Sequence, residues 1–188
     1  MVYETAKKLS FEKIYSLLYE TSSTEKDFVI KLLADTYKIN LETQNVYSLS
    51  CNILVPDYLT VLILHYLIKK LSGLPKITNE WINFRQLDGG EGYFPVFYNR
   101  VIEVIKRKYG NNPKNILNLS SRFNVKKTNI NDTSVIIETF ESVPILLILW
   151  PAGMEFSTEA NLLFDSSIKN IFATEDIVVL SEFLAKSI

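Results

Sequence analysis

The residues with the greatest potential for chemistry lie in the glycine-rich segment 88–93, which reads Asp-Gly-Gly-Glu-Gly-Tyr. Gly89 and Gly90 would let a ligand approach the backbone closely, and a helix beginning after them would offer free amide donors. Arg85 and Arg100 would supply fork-shaped partners for an anionic group. The segment lacks the spacing of a GxGxxG fingerprint and the Lys-Ser/Thr of a phosphate loop. A tight turn that begins a helix is the alternative interpretation.

Aromatic residues lie close to this segment in the sequence. Trp81 and Tyr93 would form a wall of the ligand site, and Trp150 would add a further aromatic surface. Large aromatic side chains also fill protein cores, so a core position is the alternative for each of them. The ligand-site hypothesis would lose its support if Arg85 only paired with a nearby acid and the glycines faced open solvent.

Acidic residues in the last third of the chain could form a site with two carboxylates. Asp165 is also a candidate for the ligand site, and an enzyme would need it to converge with Glu155 or Asp176 in a cleft. Glu175 and Asp176 are equally well explained as acidic residues in the first turn of a helix.

The chain has one histidine and one cysteine, His65 and Cys51. His65 lies in an apolar stretch, which favours a core or interface position over a general base. Cys51 falls on the apolar phase of a predicted strand, so we expect an inert buried thiol. A lone cysteine forms no internal disulfide or zinc ribbon, so we expect no metal site and find no evident cofactor.

Charge and hydropathy limit the classes of partner. Lys plus Arg number 20 and Asp plus Glu number 21, so the chain has no basic field for nucleic acid. The most apolar stretch, 59–68, is about half as long as a bilayer span. The N-terminus lacks the apolar core of a signal peptide, and a lone cysteine favours a reducing compartment. We therefore expect a cytoplasmic protein that binds neither nucleic acid nor membrane.

In the N-terminal half, the sequence pattern predicts three helices and one β-hairpin. Apolar spacing predicts a helix from Thr5 to Glu20, and the capping-box pattern at Ser22 and Glu25 predicts a second one, which together make a helical hairpin. Alternation then predicts a strand over 47–55, paired with 37–41 through a turn near 43–45. Asp57 would cap a buried central helix over 58–71, with Gly73 as its stop.

The C-terminal half predicts a mainly antiparallel sheet packed by helices. The helical pattern resumes at Phe94 and stops at Gly110. A hairpin turning at Asn131-Asp132 leads to a central strand over 144–150, and 162–164 adds a strand or a short helix. A final helix is predicted over 175–186. The fold class is therefore α+β, in a single domain over 1–188 with residues 1–36 as an N-terminal helical lobe.

Nine short segments of the chain form a combined pattern: 63–67, 81–87, 89–90, 93–94, 97–100, 147–150, 155–156, 160–165 and 174–176. Together they resemble a family known only as domain of unknown function 3786. The resemblance covers most of the chain, most clearly from about residue 57 onward, and it implies an anaerobic bacterium or archaeon. Some relatives are associated with corrinoid and one-carbon metabolism or are joined to cysteine modules of the iron–sulfur type, whose cysteines this chain lacks.

Two functions are therefore expected. The first is a binding or accessory protein in anaerobic metabolism, whose site for a small anionic or corrinoid-type ligand lies between the 81–94 loop and the C-terminal sheet. The second is a structural or interaction protein without catalysis, acting as a homodimer or as a subunit of a complex. The many aromatic residues suit an interface, and the scarcity of titratable clusters disfavours an enzyme.

Overall fold

The structure is a computed structural model that describes residues 2–153 and 157–188. The chain packs as two compact units, Met1–Pro75 and Lys76–Ile188, and each is described by itself. The expectation of a single domain over 1–188 stays a prediction. Both units combine helices with antiparallel strands, so the predicted α+β class is confirmed.

The first unit combines two helices with a four-stranded antiparallel sheet of order β1-β2-β3-β4. Helix α1 packs along α2, which is apolar nearly all round and buried over most of its length. The predicted first helix and the buried central helix are therefore confirmed, and α2 stops at Gly73, whose φ is 98°. The elements are α1 Val2–Glu20, β1 Asp27–Leu32, β2 Asp35–Asn40, β3 Asn45–Ser48, β4 Ile53–Leu54 and α2 Asp57–Ser72.

The predicted second helix is wrong, because that segment forms strand β1. Ser22 does not cap a helix but takes a left-handed φ of 52°. In β1 the inward positions are Ile30 and Leu32, and alternate positions face solvent. Neighbouring apolar residues such as Val29 hid this period of two. The expected helical lobe over 1–36 therefore contains α1 and a strand.

The predicted 47–55 strand is interrupted. Strand β3 ends at Ser48, and the chain turns through 49–52 before β4 begins. Asn52 has a φ of 53° in this turn, which breaks the alternation. Cys51 lies in the same turn and is exposed, so the expectation of a buried thiol is wrong.

The second unit contains a five-stranded antiparallel sheet of order β5-β9-β8-β7-β6. Strand β8 lies at the centre, which confirms the central strand predicted from its continuous apolar run. The predicted hairpin before it pairs β6 with β7, and β9 settles the choice at 162–164 in favour of a strand. The strands are β5 Trp81–Asn83, β6 Val125–Lys127, β7 Ser134–Phe140, β8 Val143–Trp150 and β9 Glu159–Asp165.

The helices of this unit include one long helix with an irregular middle. Helix α3, Gly90–Phe97, continues through a π-helical turn, Tyr98–Ile102, into α4, Glu103–Tyr109. Pro95 lies inside α3 and has no N–H to donate within it. The remaining elements are the 3₁₀ turns Phe84–Gln86, Pro113–Ser121 and Ser166–Asn170, and the final helix α5, Thr174–Ser187.

Candidate functional site

The glycines of segment 88–93 serve the local backbone. Gly89 caps α3 with a left-handed φ of 70°, which a glycine adopts without strain. A Cβ at Gly90 would lie 2.0 Å from the carbonyl oxygen of Phe84, so only glycine fits. A Cβ at Gly89 or Gly92 would meet nothing within 4 Å. The segment is therefore a tight turn that begins a helix, and its outer side is open.

Arg85 is engaged by its neighbours. Its guanidinium donates to a carboxylate oxygen of Glu91 at 2.5 Å and lies over the ring of Phe94, 3.9 Å from the centroid. Both charged side chains are well exposed, Arg85 at 48% and Glu91 at 70%. An ion pair this exposed contributes about 0–1 kcal/mol, so it restrains Arg85 only weakly.

Arg100 lies on a different side of the helix from Arg85. Its guanidinium donates to the hydroxyl of Tyr93 at 3.4 Å and to Glu182 on α5 at 3.3 Å. Tyr93 and Glu91 are two residues apart, which is about 160° around a helix axis. The two arginines are therefore held at different faces, and the structure does not bring them together as a clamp for one anion.

Two backbone amides at the start of α3 remain free. Within the described part of the chain, the N–H groups of Glu91 and Gly92 have no acceptor. The amides of Gly90 and Tyr93 on either side donate to the carbonyls of Leu87 and Gly89. Free amides are usual in the first turn of a helix, where water or an anion accepts from them.

Asp165 anchors the chain that leads into β5. Its carboxylate accepts from the amide of Asn79 at 2.6 Å, from the amide and hydroxyl of Thr78 at 3.1 and 2.9 Å, and from the amide of Ser167 at 3.0 Å. Asp165 is only 1% exposed. Its oxygens are occupied by the chain itself, so its role is structural, and Trp81 is its cross-strand neighbour in β5.

The pKa of Asp165 follows from this environment. Burial disfavours the charged carboxylate and raises the pKa, but the hydrogen bonds from Ser167 and Thr78 stabilise the charge more strongly. The net pKa is lower than that of an ordinary aspartate. The carboxylate is therefore ionised at neutral pH and has no proton to give as an acid.

The predicted aromatic surface is divided. Trp81 pairs with Asp165 at one end of β9 and Trp150 pairs with Glu159 at the other end, roughly 20 Å away at about 3.3 Å per residue. The two tryptophans therefore belong to separate regions of the sheet. Phe84 and Phe97 stack in the core with centroids 3.9 Å apart, whereas the predicted wall residue Tyr93 is exposed.

A polar cluster around Lys106 was not predicted from the sequence. The ammonium group of Lys106 donates to the hydroxyl of Tyr98 at 2.9 Å and pairs with Glu103 at 3.1 Å and Glu159 at 3.4 Å. These three partners match the three donors of an ammonium group. The hydrogen bond to the Tyr98 oxygen raises the pKa of Lys106, and Lys106 lowers the pKa of Glu103.

The π-helical turn explains why Tyr98 and Lys106 meet. Positions eight apart differ by about 80° around an ideal α-helix. The extra residue that a π turn absorbs brings them back to the same face. The sequence carries only a weak signal for this turn, the proline at position 95. The cluster joins α4 to β9 and has no unused donor on the lysine.

A second polar cluster lies in the first unit around Asp35. Its carboxylate accepts from the hydroxyl of Ser48 at 2.6 Å, from the Ser50 hydroxyl and from the amide of Thr36 at 2.7 Å. Burial raises the pKa of Asp35, but these hydrogen bonds outweigh it and the net pKa is lowered. Burial, and then the charge of Asp35, raise the pKa of Tyr37. The group fixes the hairpins of the sheet.

Among the described residues, the other carboxylates named as candidates are not brought together in one cluster. Asp176 is buried in the first turn of α5 and accepts from the amide of Ala173 at 3.4 Å, while Glu175 is exposed. The predicted partner Glu155 lies outside the described residues. Over 2–153 and 157–188, no cluster of three or more His, Cys, Asp or Glu side chains could hold a metal ion. His65 is half-buried on α2.

The fold is of the α+β class, and the polar clusters around Asp35, Lys106 and Asp165 each consist of groups that bind one another. A family model for a domain of unknown function, DUF3786, matches residues 11–187. The chain therefore belongs to this family, as its sequence pattern indicated. No curated protein and no solved structure matches it. None of the helices within the described residues has the length and apolar character needed to cross a membrane.

Proposed function

We propose that this chain is an interaction protein, acting as a homodimer or as a subunit of a complex, without chemistry of its own. The observation that carries the proposal is strand β1, which stands at the edge of the four-stranded sheet. An edge strand has a row of backbone N–H and C=O groups available to another chain. Its central side chain, Val29, is apolar and 59% exposed.

The charged groups in the second unit support a structural role for its polar residues. Each of three cations forms an ion pair within the chain: Arg85, Arg100 and Lys106. Asp165 is buried, and its carboxylate binds backbone amides of neighbouring segments. A catalytic site needs at least one group poised to act on a substrate. The single cysteine favours a reducing, cytoplasmic compartment, and the family resemblance favours an anaerobic organism.

Sedimentation velocity over a wide range of protein concentration tests the proposal. We expect the sedimentation coefficient to rise from that of a monomer to that of a dimer between low and high micromolar protein. A monomer at every concentration, together with a failure to co-purify any stable partner when the tagged chain is expressed in its own organism, would contradict the proposal.

A second candidate function is the binding of a small anionic ligand, such as a phosphorylated metabolite or the acidic side chains of a corrinoid. The free amides of Glu91 and Gly92 favour it. The Arg85 guanidinium, which stacks on Phe94, is paired with Glu91 only by an exposed ion pair. An anion would replace Glu91 as the partner of Arg85 and accept from both amides.

Titration with inorganic phosphate, followed by backbone NMR, tests this second candidate. We expect the amide resonances of Glu91 and Gly92 to shift with saturation, and we expect Arg85→Gln to weaken binding several-fold. Lys108→Gln is the matched control, because Lys108 is also a cation in this unit but forms no ion pair or hydrogen bond with the segment among the described residues. Equal shifts in both variants would exclude a specific site.

A further inference from the structure

The pairing of β1 with β2 fixes which of its backbone groups are free. The two strands pair with Phe28 opposite Ile39 and Leu32 opposite Asp35 at the hairpin turn. The amide of Leu41 donates to the carbonyl of Lys26, which makes this a hydrogen-bonded pair of the ladder. The backbone N–H and C=O groups of the even-numbered residues in β1 therefore point toward β2. The N–H and C=O groups of the odd-numbered residues therefore point outward at the edge of the sheet.

We propose that two copies of this chain associate by antiparallel pairing of their β1 strands about a two-fold axis at Val29. Val29 then lies opposite Val29 of the second copy, and Asp27 lies opposite Lys31. In this register the outward groups of all three residues form hydrogen bonds, six across the dimer. A shift by two residues would leave part of each edge unpaired. The result is a continuous eight-stranded sheet. This inference rests on the interaction function proposed above.

The charges of β1 suit this register. Asp27 and Lys31 flank Val29 on the same exposed face of the strand. Under a two-fold axis at Val29, each aspartate meets the lysine of the other copy, and opposite charges directly across a strand pair stabilise it. Within the described residues Lys31 has no partner, while Asp27 already pairs with Lys38 at 2.9 Å. The dimer would therefore give Lys31 the counter-charge that it lacks in the monomer.

The side chains beside Val29 extend the contact across the sheet. A cross-strand row runs from Val29 through Lys38 and Tyr47 to Leu54, as the register of the four strands shows. Pairing about the two-fold axis at Val29 would place this row of side chains next to the same row of the second copy. A six-residue edge is short compared with the roughly 20–30 residues per side of a standard interface. We therefore expect a weak dimer, with a micromolar dissociation constant.

Two substitutions at Val29 test the backbone pairing. Val29→Pro removes the outward N–H without touching the hydrogen bonds to β2, since proline is tolerated on an edge strand. Val29→Thr is the matched control, because it keeps the N–H and a β-branched side chain. We expect the proline variant to weaken dimerisation at least tenfold and the threonine variant less than threefold. Equal dissociation constants for the two variants would overturn the inference.

A mixing experiment tests the register. Asp27→Lys alone places lysine opposite lysine, and Lys31→Asp alone places aspartate opposite aspartate, so each variant should dimerise several-fold more weakly than the unaltered chain. Mixed together, the two variants form two attractive pairs, and we expect a heterodimer at least as tight as the original homodimer. Thermal melts check that both variants remain folded.

The outcomes of mixing separate this inference from the broader function. A heterodimer that forms only on mixing supports the proposed register. A dimer of the unaltered chain that none of these variants affects would overturn the β1 pairing and leave the interaction function standing. A monomer that also binds no other partner would overturn both.

Discussion

Replacing Asp165 by asparagine should remove a large part of the stability of the second unit. The amide of Asn79 donates to one carboxylate oxygen at 2.6 Å, and the other oxygen accepts from Thr78 and Ser167. In Asp165→Asn, one oxygen becomes an amide donor that faces another donor. A hydrogen bond to a charged group contributes about 1.5–3 kcal/mol, and an unpaired buried donor adds to the loss. We expect a loss of about 3 kcal/mol.

Denaturant unfolding and thermal melts would measure this loss. For a chain of this size, about 3 kcal/mol corresponds to a melting temperature lower by roughly 6–12 °C. Asp88→Asn is the matched control, because Asp88 is an exposed aspartate in the same unit whose carboxylate has no hydrogen bond or ion pair among the described residues, and it should be neutral. Both variants replace a carboxylate by an amide, so their difference isolates the contacts of Asp165.

The difference between the unaltered protein and Asp165→Asn should depend on pH. The pKa of Asp165 in the folded protein lies below its value of about 4 in the unfolded chain. The carboxylate therefore stabilises the fold fully above about pH 4, and the contribution is lost as the pH falls through the folded-state pKa. A variant within 0.5 kcal/mol of the unaltered protein at pH 7, or a difference that persists unchanged in strong acid, would refute the reasoning.

Three further predictions follow from single contacts. Gly90→Ala should lower the free energy of unfolding by about 3 kcal/mol, because the new Cβ would meet a backbone oxygen. Gly92→Ala should be neutral or stabilising, and denaturant unfolding curves of the two variants measure the difference. Lys106→Met should lower the melting temperature by a few degrees, about 1 kcal/mol, while Lys108→Met should leave it unchanged. Cys51 should react with a thiol reagent in the native protein as fast as in the unfolded chain, and slow native labelling would show that it is covered.

Long periodic segments of this fold could be predicted from the sequence. The continuous apolar run of β8 and the apolar helix α2 identify themselves, because burial on both sides leaves no room for polar residues. Gly73 and Gly110 were correctly expected to end helices, at the ends of α2 and α4. These features depend on local composition, which a single sequence contains.

Strand β1 could not be predicted in the same way. Its turn uses Leu33, which takes a left-handed φ of 55° without being Gly or Asn, so the usual hairpin signal is missing. Leu33 is nevertheless buried, and packing of its side chain accompanies this uncommon backbone conformation. Tertiary contact decided the structure there over local preference.

The candidate site shows the same limit. The turn at Gly89 and Gly90 was correctly singled out as unusual backbone, but the sequence could not tell that Glu91 would take Arg85. Nor could it tell that Arg100 would reach Glu182, which is 82 residues away in the chain. Pairings between distant residues depend on the finished fold, and they decide whether a charged residue is free to bind a ligand.

Hydrogen exchange at the β1 edge, measured at several protein concentrations, tests the central claim most directly. The outward amides of Asp27, Val29 and Lys31 should exchange rapidly in dilute protein and become protected together as the concentration rises into the dimeric range. The inward amides of Phe28 and Ile30 should stay protected throughout, because they bond to β2. Outward amides that exchange at one rate at every concentration would contradict the account.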